Sequence, residues 1–126
     1  MTRQALVVED EQINTRVLSI VLTRLGYEVV TASDGRIAAA QFRAGPLPAV
    51  VLMDLQMPAL DGFECVSLMR EWEQQQGLPR TPIIAITARL LTGTRERAFE
   101  AGVDEFLTKP IALPALEEAL ARLVKP

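Results

Sequence analysis

Apolar and polar positions form alternating blocks along the chain, and these blocks predict strands and helices in turn. Short apolar runs predict five strands, at residues 5–8, 28–32, 50–53, 82–86 and 105–107. Apolar residues at helical spacing, bounded by capping and stop signals, predict five helices, at residues 11–25, 34–44, around 65–72, at 92–101 and from 114 onward. The order is therefore strand then helix, repeated five times.

Three helices carry an apolar stripe that can be assigned to residues. In the first helix the stripe is Ile13, Val17, Ile20, Val21 and Leu25. In the third helix it is Cys65, Leu68, Met69 and Trp72, and in the last helix it is Leu116, Leu120 and Leu123. Asp61 and Glu64 have the spacing of a capping box at the start of the third helix, and the glutamine-rich segment 73–77 predicts a frayed end.

Strands that alternate with helices predict an α/β fold with a parallel sheet and helices on both of its faces. The third and fourth strands are apolar throughout, as expected of strands that are covered on both sides. In such sheets ligands bind beyond the carboxyl ends of the strands.

The composition narrows the class of protein. The chain has 126 residues and 49% apolar residues, which predicts one folded domain over residues 1–126. The net charge of −3 argues against a nucleic-acid surface, and no apolar run approaches the ~18 residues of a membrane span. A single cysteine and the absence of a signal-peptide pattern predict a cytoplasmic location without an internal disulfide.

The chain contains no histidine, which excludes several kinds of site. A Ser-His-Asp triad, a Cys-His pair and a histidine-ligated zinc site all need that residue. Any metal site must therefore be built from oxygen ligands, which favour Mg²⁺ or Ca²⁺.

Residues whose side chains can bind a ligand or take part in a reaction follow the predicted strands at their carboxyl ends. They are Glu9 and Asp10 after the first strand, Asp54 after the third, Thr87 after the fourth, and Lys109 and Pro110 after the fifth. No glycine-rich phosphate loop is present in the sequence. The groups offered at this edge are instead three carboxylates, a hydroxyl and an amine.

Three carboxylates at one edge need cations nearby. Two like charges about 4 Å apart repel by about 4 kcal/mol at an effective dielectric constant of about 20. One Mg²⁺ ion together with Lys109 supplies the charge that balances Glu9, Asp10 and Asp54. Carboxylates also act as nucleophiles that become aspartyl phosphates, so the edge suits phosphoryl transfer.

Each residue also has a simpler interpretation. Asp10 suits a cap of the first helix, and Asp54 suits a turn that Pro58 completes. Thr87 suits a strand end, Lys109 a surface position and Phe106 the core. The proline after Lys109 keeps that lysine extended, so that its amine can reach back over the edge.

The chain resembles the receiver domains of two-component response regulators, the CheY-like family. The resemblance covers almost the whole length and rests on "LVVEDE", "DGRIAA", "VVLMDLQMPALDGFE", "PIIAITA" and "AGVDEFLTKP". It implies a flavodoxin-like (βα)5 fold whose five-stranded parallel sheet has the order 2-1-3-4-5.

The resemblance also implies a role for each residue of the edge. Asp54 would be the phosphoacceptor, and Mg²⁺ (or Mn²⁺) would be bound by Asp10, by Asp54, by the backbone carbonyl of Gln56 and, through water, by Glu9. Lys109 would pair with the phosphoryl oxygens. Thr87 would be the switch hydroxyl, and Phe106 the aromatic residue that follows it. A cis peptide bond would join Lys109 to Pro110.

The partners implied are a sensor histidine kinase or a histidine phosphotransfer domain as phosphoryl donor. The fourth helix, fifth strand and fifth helix, about residues 91–124, would contact a downstream protein or a second receiver. The segments "EDEQINTRV" and "TPIIAITA" are similar to receivers attached to hybrid sensor kinases. The chain would thus be a stand-alone receiver or one excised from a larger protein, and it would catalyse only its own phosphorylation and dephosphorylation.

Three other functions are compatible with parts of the pattern. A Mg²⁺-dependent phosphatase would want a second carboxylate two residues after Asp54, where the chain has Gln56. An FMN-binding protein would want a first loop rich in Ser, Thr or Gly, where the chain has "EDE". The third function is that of a receiver-like domain that works without phosphorylation.

Gln56 and Arg89, beside Asp54 and Thr87, are further expected to control water access to the phosphoryl group.

Overall fold

A computed structural model describes residues 3–57, 60–88 and 92–124 of the chain. The five strands are β1 (Arg3–Val8), β2 (Tyr27–Ala32), β3 (Val50–Asp54), β4 (Ile83–Thr87) and β5 (Glu105–Thr108). The five helices are α1 (Gln12–Arg24), α2 (Gly35–Ala44), α3 (Gly62–Gln76), α4 (Thr94–Ala101) and α5 (Leu113–Leu123). The predicted alternation is confirmed, and every predicted element is present to within a few residues at its ends.

The strands form one parallel sheet in the order β2-β1-β3-β4-β5, as predicted. β3 and β4 are buried at every position, in agreement with their uninterrupted apolar sequences. Within the described ranges, none of the helices is both long and apolar enough to cross a lipid bilayer.

Two apolar layers cover the sheet, because successive side chains of a strand point to opposite faces. In β1, Leu6 and Val8 pack with α2, α3 and α4, whereas Ala5 and Val7 pack with α1 and α5. Helices therefore lie on both faces of the sheet, as the sequence predicts.

The helix predicted by the apolar stripe of α1 is confirmed, but most of that stripe lies at the surface. Ile13, Val17 and Ile20 are 78%, 53% and 49% exposed, and Leu25 is 38% exposed. The side chains of α1 that are buried against the sheet are Leu18 and Leu22. The spacing thus predicted the helix, but the fold buries the neighbouring stripe that contains Leu18 and Leu22.

The frayed end predicted for the third helix is wrong. α3 continues to Gln76 and ends at Gly77, whose φ of 64° is the left-handed conformation typical of a helix end. Glu73, in the middle of the predicted frayed segment, is only 4% exposed. A buried, hydrogen-bonded carboxylate holds this part of the helix in place.

Candidate functional site

The register of the central strands brings the predicted acids together. Val8 in β1 lies beside Met53 in β3, so the next residues along the two strands, Glu9 and Asp54, are also neighbours. One carboxylate oxygen from each of Glu9, Asp10 and Asp54 lies within 4.8 Å of the other two. The three acids therefore form one cluster at the carboxyl edge of the sheet.

The three acids differ in their exposure to solvent. Glu9 and Asp54 are 4% and 3% exposed, whereas Asp10 is exposed. The residue that precedes α1 as its cap is Glu11, and no side-chain hydrogen bond caps that helix. The simpler interpretation of Asp10 as a helix cap thus finds no support, and Asp10 faces the same cluster as the two buried acids.

Lys109 reaches the cluster from the segment that follows β5, the edge strand of the sheet. Its Nζ lies 2.7 Å from Oε1 of Glu9 and 3.2 Å from Oδ2 of Asp54. Its side chain is 18% exposed. The peptide bond from Lys109 to Pro110 is cis, as the resemblance implies. The lysine is therefore an ion-pair partner of both buried acids and not a surface residue.

Asp54 also forms the turn that its simpler interpretation predicts. Its Oδ1 accepts a hydrogen bond of 2.9 Å from the backbone N–H of Gln56. One oxygen of this carboxylate thus stabilises the loop after β3, and the other faces Lys109. Pro58, which was expected to complete the turn, lies outside the described residues, as do Arg89 and Leu91.

The environment of Asp54 shifts its pKa strongly. Burial, followed by the neighbouring Glu9, raises the pKa of Asp54 to about 7, although the Gln56 N–H and the charge of Lys109 act to lower it. Burial also acts to raise the pKa of Glu9, but hydrogen bonds from Asp54 and Lys109 outweigh it and lower that pKa. Without a metal ion, Asp54 therefore keeps its proton to a higher pH than Glu9 does.

Lys109 is held in its charged form by the same two acids. Burial acts to lower the pKa of Lys109, but the hydrogen bond to Glu9 and the charges of Asp54 and Glu9 raise it. A positive charge is thus fixed beside Asp54, where a phosphoryl group would bring additional negative charge.

Thr87 and Phe106 lie on β4 and β5, the two strands that follow β3 in the sheet. Thr87 is the last residue of β4 and follows Ile86, which is paired with Asp54, so that it lies at the same edge of the sheet. It is 1% exposed. Phe106 in β5 is 6% exposed and packs in the layer that covers the face of α2, α3 and α4. Phe106 is therefore in the core, as its simpler interpretation predicts.

Gly62 allows α3 to begin very close to the phosphoacceptor candidate. A Cβ atom at this position would lie 2.6 Å from the backbone oxygen of Asp54 and 2.6 Å from Cα of Leu55. Asp61 caps the helix, since its Oδ1 accepts a hydrogen bond of 2.9 Å from the N–H of Glu64. The predicted cap is therefore confirmed, and only a glycine fits after it.

The donor set of the cluster suits a hard divalent cation. All three side chains offer carboxylate oxygens, which Mg²⁺ prefers, and the exposed Asp10 leaves the cluster open to solvent on one side. No nitrogen or sulfur ligand that would favour zinc joins this group among the described residues.

Sequence reasoning missed a second set of charged residues at the opposite edge of the sheet. It is centred on Arg70, and its other charged members are Glu73, Arg80 and Asp104. These residues come from three segments with no recognisable spacing, so no sequence signal pointed to them.

Cys65, which was assigned no chemistry, is buried, and burial raises its pKa to about 12.

Comparison with known proteins identifies the family. The model of the response regulator receiver domain matches residues 5–121. A hybrid signal transduction histidine kinase I of Dictyostelium discoideum is 35% identical over 94% of this chain, but the chain spans only 7% of that kinase's length.

Two solved structures are similar over nearly the whole chain. The receiver domain of the sensor histidine kinase PA1611 from Pseudomonas aeruginosa, solved with magnesium coordinated in its active-site cleft, is 34% identical with a TM-score of 0.85, covering 98% of both chains. A chain in the complex of the Saccharomyces cerevisiae histidine phosphotransfer protein Ypd1 with the receiver domain of Ssk1 is 29% identical with a TM-score of 0.87, covering 98% of this chain and 89% of that one. With its fold, its acidic cluster and these matches, the chain belongs to the response regulator receiver domain family of two-component signal transduction.

Proposed function

We propose that Asp54 accepts a phosphoryl group from a phosphohistidine on a partner protein. In this step a bond forms between an Asp54 carboxylate oxygen and phosphorus, the phosphorus–nitrogen bond breaks, and its electron pair returns to the imidazole. The observation that carries the proposal is the convergence of Glu9, Asp10, Asp54 and Lys109 at one edge of the sheet.

Each group of the cluster has a part in this transfer. Asp10, Asp54 and the backbone carbonyl of Gln56 would hold Mg²⁺, with Glu9 assisting through water. Bound Mg²⁺ would neutralise the carboxylates and the phosphoryl oxygens. Lys109 would keep its charge and pair with the phosphoryl oxygens as the new bond forms.

Phosphorylation would then change the surface of the protein. A phosphoryl group carries about −1.5 to −2 of charge at pH 7, where the carboxylate carried less. The Thr87 hydroxyl would donate a hydrogen bond to it, and Phe106 would follow into the space that is left. The face of α4, β5 and α5 would change and contact a downstream protein or a second receiver.

The protein would act as a phosphorylation-dependent switch and would not turn over external substrates. The position two residues after Asp54 is Gln56, which cannot act as the general acid of an aspartyl-phosphate phosphatase. The chain would thus catalyse only its own phosphorylation and dephosphorylation. Multiple turnover on small phosphate esters would contradict this assignment.

The exposed face of α1 supports a protein as the phosphoryl donor. Ile13, Val17 and Ile20 are apolar but largely exposed, and with Glu9 and Asp10 they line a groove of about 930 Å³. An apolar surface beside a charged site is typical of a contact with another protein. The donor would therefore lie on α1 as it delivers its phosphohistidine to Asp54.

The assignment of Asp54 can be tested with a small-molecule donor. Acetyl phosphate and Mg²⁺ should add one phosphoryl group to the wild-type chain, which intact-protein mass spectrometry measures. Asp54→Asn should abolish this addition. Asp61→Asn is the matched control, since it changes a nearby acid outside the cluster and asparagine also caps helices well.

Phosphorylation of Asp54→Asn at the wild-type rate would refute the proposal. Loss of phosphorylation in Asp61→Asn as well would indicate that any change in this loop disrupts the site, and Asp54 would then not be singled out.

A further inference from the structure

The segment "DGRIAA" begins α2, on the face of the sheet that α3 also covers. Asp34 caps the helix, since its Oδ1 accepts a hydrogen bond of 2.9 Å from the N–H of Ile37. Gly35 follows as the first residue of the helix and is buried. Glycine is a poor helix former, and alanine in its place would favour the helix by restricting the unfolded backbone. The helix alone therefore does not explain this glycine.

The loop that joins β3 to α3 does explain it. A Cβ atom on Gly35 would lie 2.3 Å from the backbone oxygen of Leu60 and 3.0 Å from the Cβ of that residue. Both distances are well inside the ~3.5 Å of an ordinary nonbonded contact. Gly35 is not one of the described glycines with a positive φ. The need for glycine thus comes from the close approach of the loop and not from the backbone angles.

The same loop presses on the end of β3 from its other side. Gly62 follows Leu60 by two residues, and a Cβ atom there would lie 2.6 Å from the backbone oxygen of Asp54 and 2.6 Å from Cα of Leu55. The N–H of Gly62 lies 3.4 Å from the carbonyl oxygen of Leu55. Residues 60–62 therefore fill the space between the start of α2 and the strand of the phosphoacceptor, with a glycine at each contact.

A thiol attaches the same end of α2 to α3. Sγ of Cys65 donates to the carbonyl oxygen of Gly35 at 3.4 Å. Because burial raises the pKa of Cys65 to about 12, the thiol keeps the proton that it donates. The start of α2 is thus joined both to the loop and to the helix that the loop enters.

We propose that the first turn of α2 is a support that fixes the position of the loop beside the phosphoacceptor, with Gly35 as the point of contact. This proposal rests on the proposed phosphorylation of Asp54 and on the binding of Mg²⁺ beside it. Gly35 is a positioning residue, since it acts through the loop and does not touch the reacting atoms.

The path from the support to the site is short and consists of backbone contacts. Leu60 lies against the start of α2, and Gly62 lies against the backbone of Asp54 and Leu55. Gln56 comes next in the chain, and its N–H donates to Oδ1 of Asp54 at 2.9 Å. A displaced loop would therefore move the carbonyl of Gln56 that would bind the cation. A misplacement of about 1 Å can cost about a hundredfold in rate.

Gly35→Ala tests the support, and Gly45→Ala at the other end of α2 is its matched control. A Cβ atom on Gly45 would meet only the carbonyl oxygen of Gln41, at 3.4 Å. In Gly35→Ala, the dissociation constant of Mg²⁺ should rise about tenfold or more, as isothermal titration calorimetry will measure. Phosphorylation by acetyl phosphate at saturating Mg²⁺ should be about tenfold or more slower. Gly45→Ala should match the wild type in both measurements.

The metal-free protein gives a readout that a loss of stability does not change. In EDTA, the amide resonance of Gln56 should shift in Gly35→Ala, because its hydrogen bond to Asp54 is altered. The amides of Leu116 and Leu120 in α5 should keep their wild-type positions. A variant that is less stable but correctly folded would leave all three resonances in place.

A milder pair of variants serves if Gly35→Ala does not fold. Asp34→Ala removes the cap and loosens the first turn of α2, so it should raise the dissociation constant of Mg²⁺ about twofold or more and shift the Gln56 amide. Asp34→Asn removes the same charge but still caps the helix, and it should bind Mg²⁺ as the wild type does.

Wild-type Mg²⁺ affinity together with an unshifted Gln56 amide in Gly35→Ala would overturn the support, and so would an equal effect of Gly45→Ala. If Gly35→Ala is unfolded, equal affinities of Asp34→Ala and Asp34→Asn would overturn it. The proposed function fails separately, if the wild-type chain binds no Mg²⁺ and takes no phosphoryl group from acetyl phosphate. The metal-free Gln56 amide then still decides whether Gly35 positions the loop.

Discussion

At the scale of single residues, the site is built around a buried acid that is difficult to ionise. Asp54 is 3% exposed and lies beside Glu9, and its pKa is raised to about 7 by burial and by that neighbour. In the unfolded chain the same carboxyl titrates near its ordinary value of 3.8. The fold therefore holds a proton that the unfolded chain releases between these two pH values.

This difference predicts how stability depends on pH. Without metal, Asp54 binds more protons in the native chain than in the unfolded chain between about pH 4 and about pH 7, so its contribution to the free energy of unfolding should fall as the pH rises through this window. Asp54→Asn cannot ionise and should be more stable than the wild type at pH 8, by on the order of 1–3 kcal/mol. Urea unfolding in EDTA at pH 4 and pH 8 measures both effects.

The difference between Asp54→Asn and the wild type should be small at pH 4, where Asp54 is protonated in the fold. An equal difference at the two pH values would mean that packing, and not ionisation, separates the two proteins.

Single residues at the site were predictable because the chain positions them by simple rules. Glu9, Asp54 and Thr87 each end or follow an apolar run, and a parallel sheet brings such positions to one edge. The Arg70 network was not predictable. Arg70 and Asp104 are 34 residues apart, and only the three-dimensional path of the chain makes them partners.

At the scale of elements, α1 shows most clearly what periodicity leaves undecided. Its sequence contains two adjacent apolar stripes, and both have helical spacing. The sheet and α5 cover the stripe of Leu18 and Leu22, and the stripe of Ile13, Val17 and Ile20 is left at the surface. A pattern gives the period of a helix but not which neighbour will lie against it.

The exposed stripe gives a prediction for phosphoryl transfer between proteins. Val17→Asp should slow transfer from a phosphorylated histidine phosphotransfer domain by about tenfold or more, because the contact would have to bury a charge. Phosphorylation by acetyl phosphate should keep its wild-type rate, since that donor needs no docking surface. Rapid-quench measurement of the two reactions separates these effects.

The matched control is Ile37→Asp on α2, where the side chain is 41% exposed and therefore similarly placed in solvent. Equal losses in Val17→Asp and Ile37→Asp would indicate a general effect of added charge, and α1 would not be the docking face.

At the scale of the whole molecule, the acidic cluster ties stability to the binding of a cation. Glu9 and Asp54 extend β1 and β3, the two neighbouring strands near the centre of the sheet, and Lys109 follows β5 at its edge. A ligand that binds the native cluster and not the unfolded chain stabilises the entire fold by mass action.

We therefore expect Mg²⁺ to raise the melting temperature. At a concentration a hundred times its dissociation constant, the gain is about 2.7 kcal/mol. The gain should be larger at pH 8 than at pH 5, because a proton on Asp54 competes with the ion. Asp10→Asn should remove most of it, as calorimetry at constant ionic strength will measure.

Glu11→Gln is the control for that experiment, since Glu11 is an exposed acid next to the cluster but is not part of it. A rise in melting temperature that survives in Asp10→Asn would point to a binding site elsewhere on the chain.

The order of the strands has a consequence for the protein during its synthesis. The acids of the cluster leave the ribosome before Lys109, which follows β5 in the sequence. A nascent chain that has not yet added β5 to the sheet has the carboxylates without their fixed amine. The ion pairs that join Lys109 to Glu9 and Asp54 can therefore form only after β5 has joined the sheet.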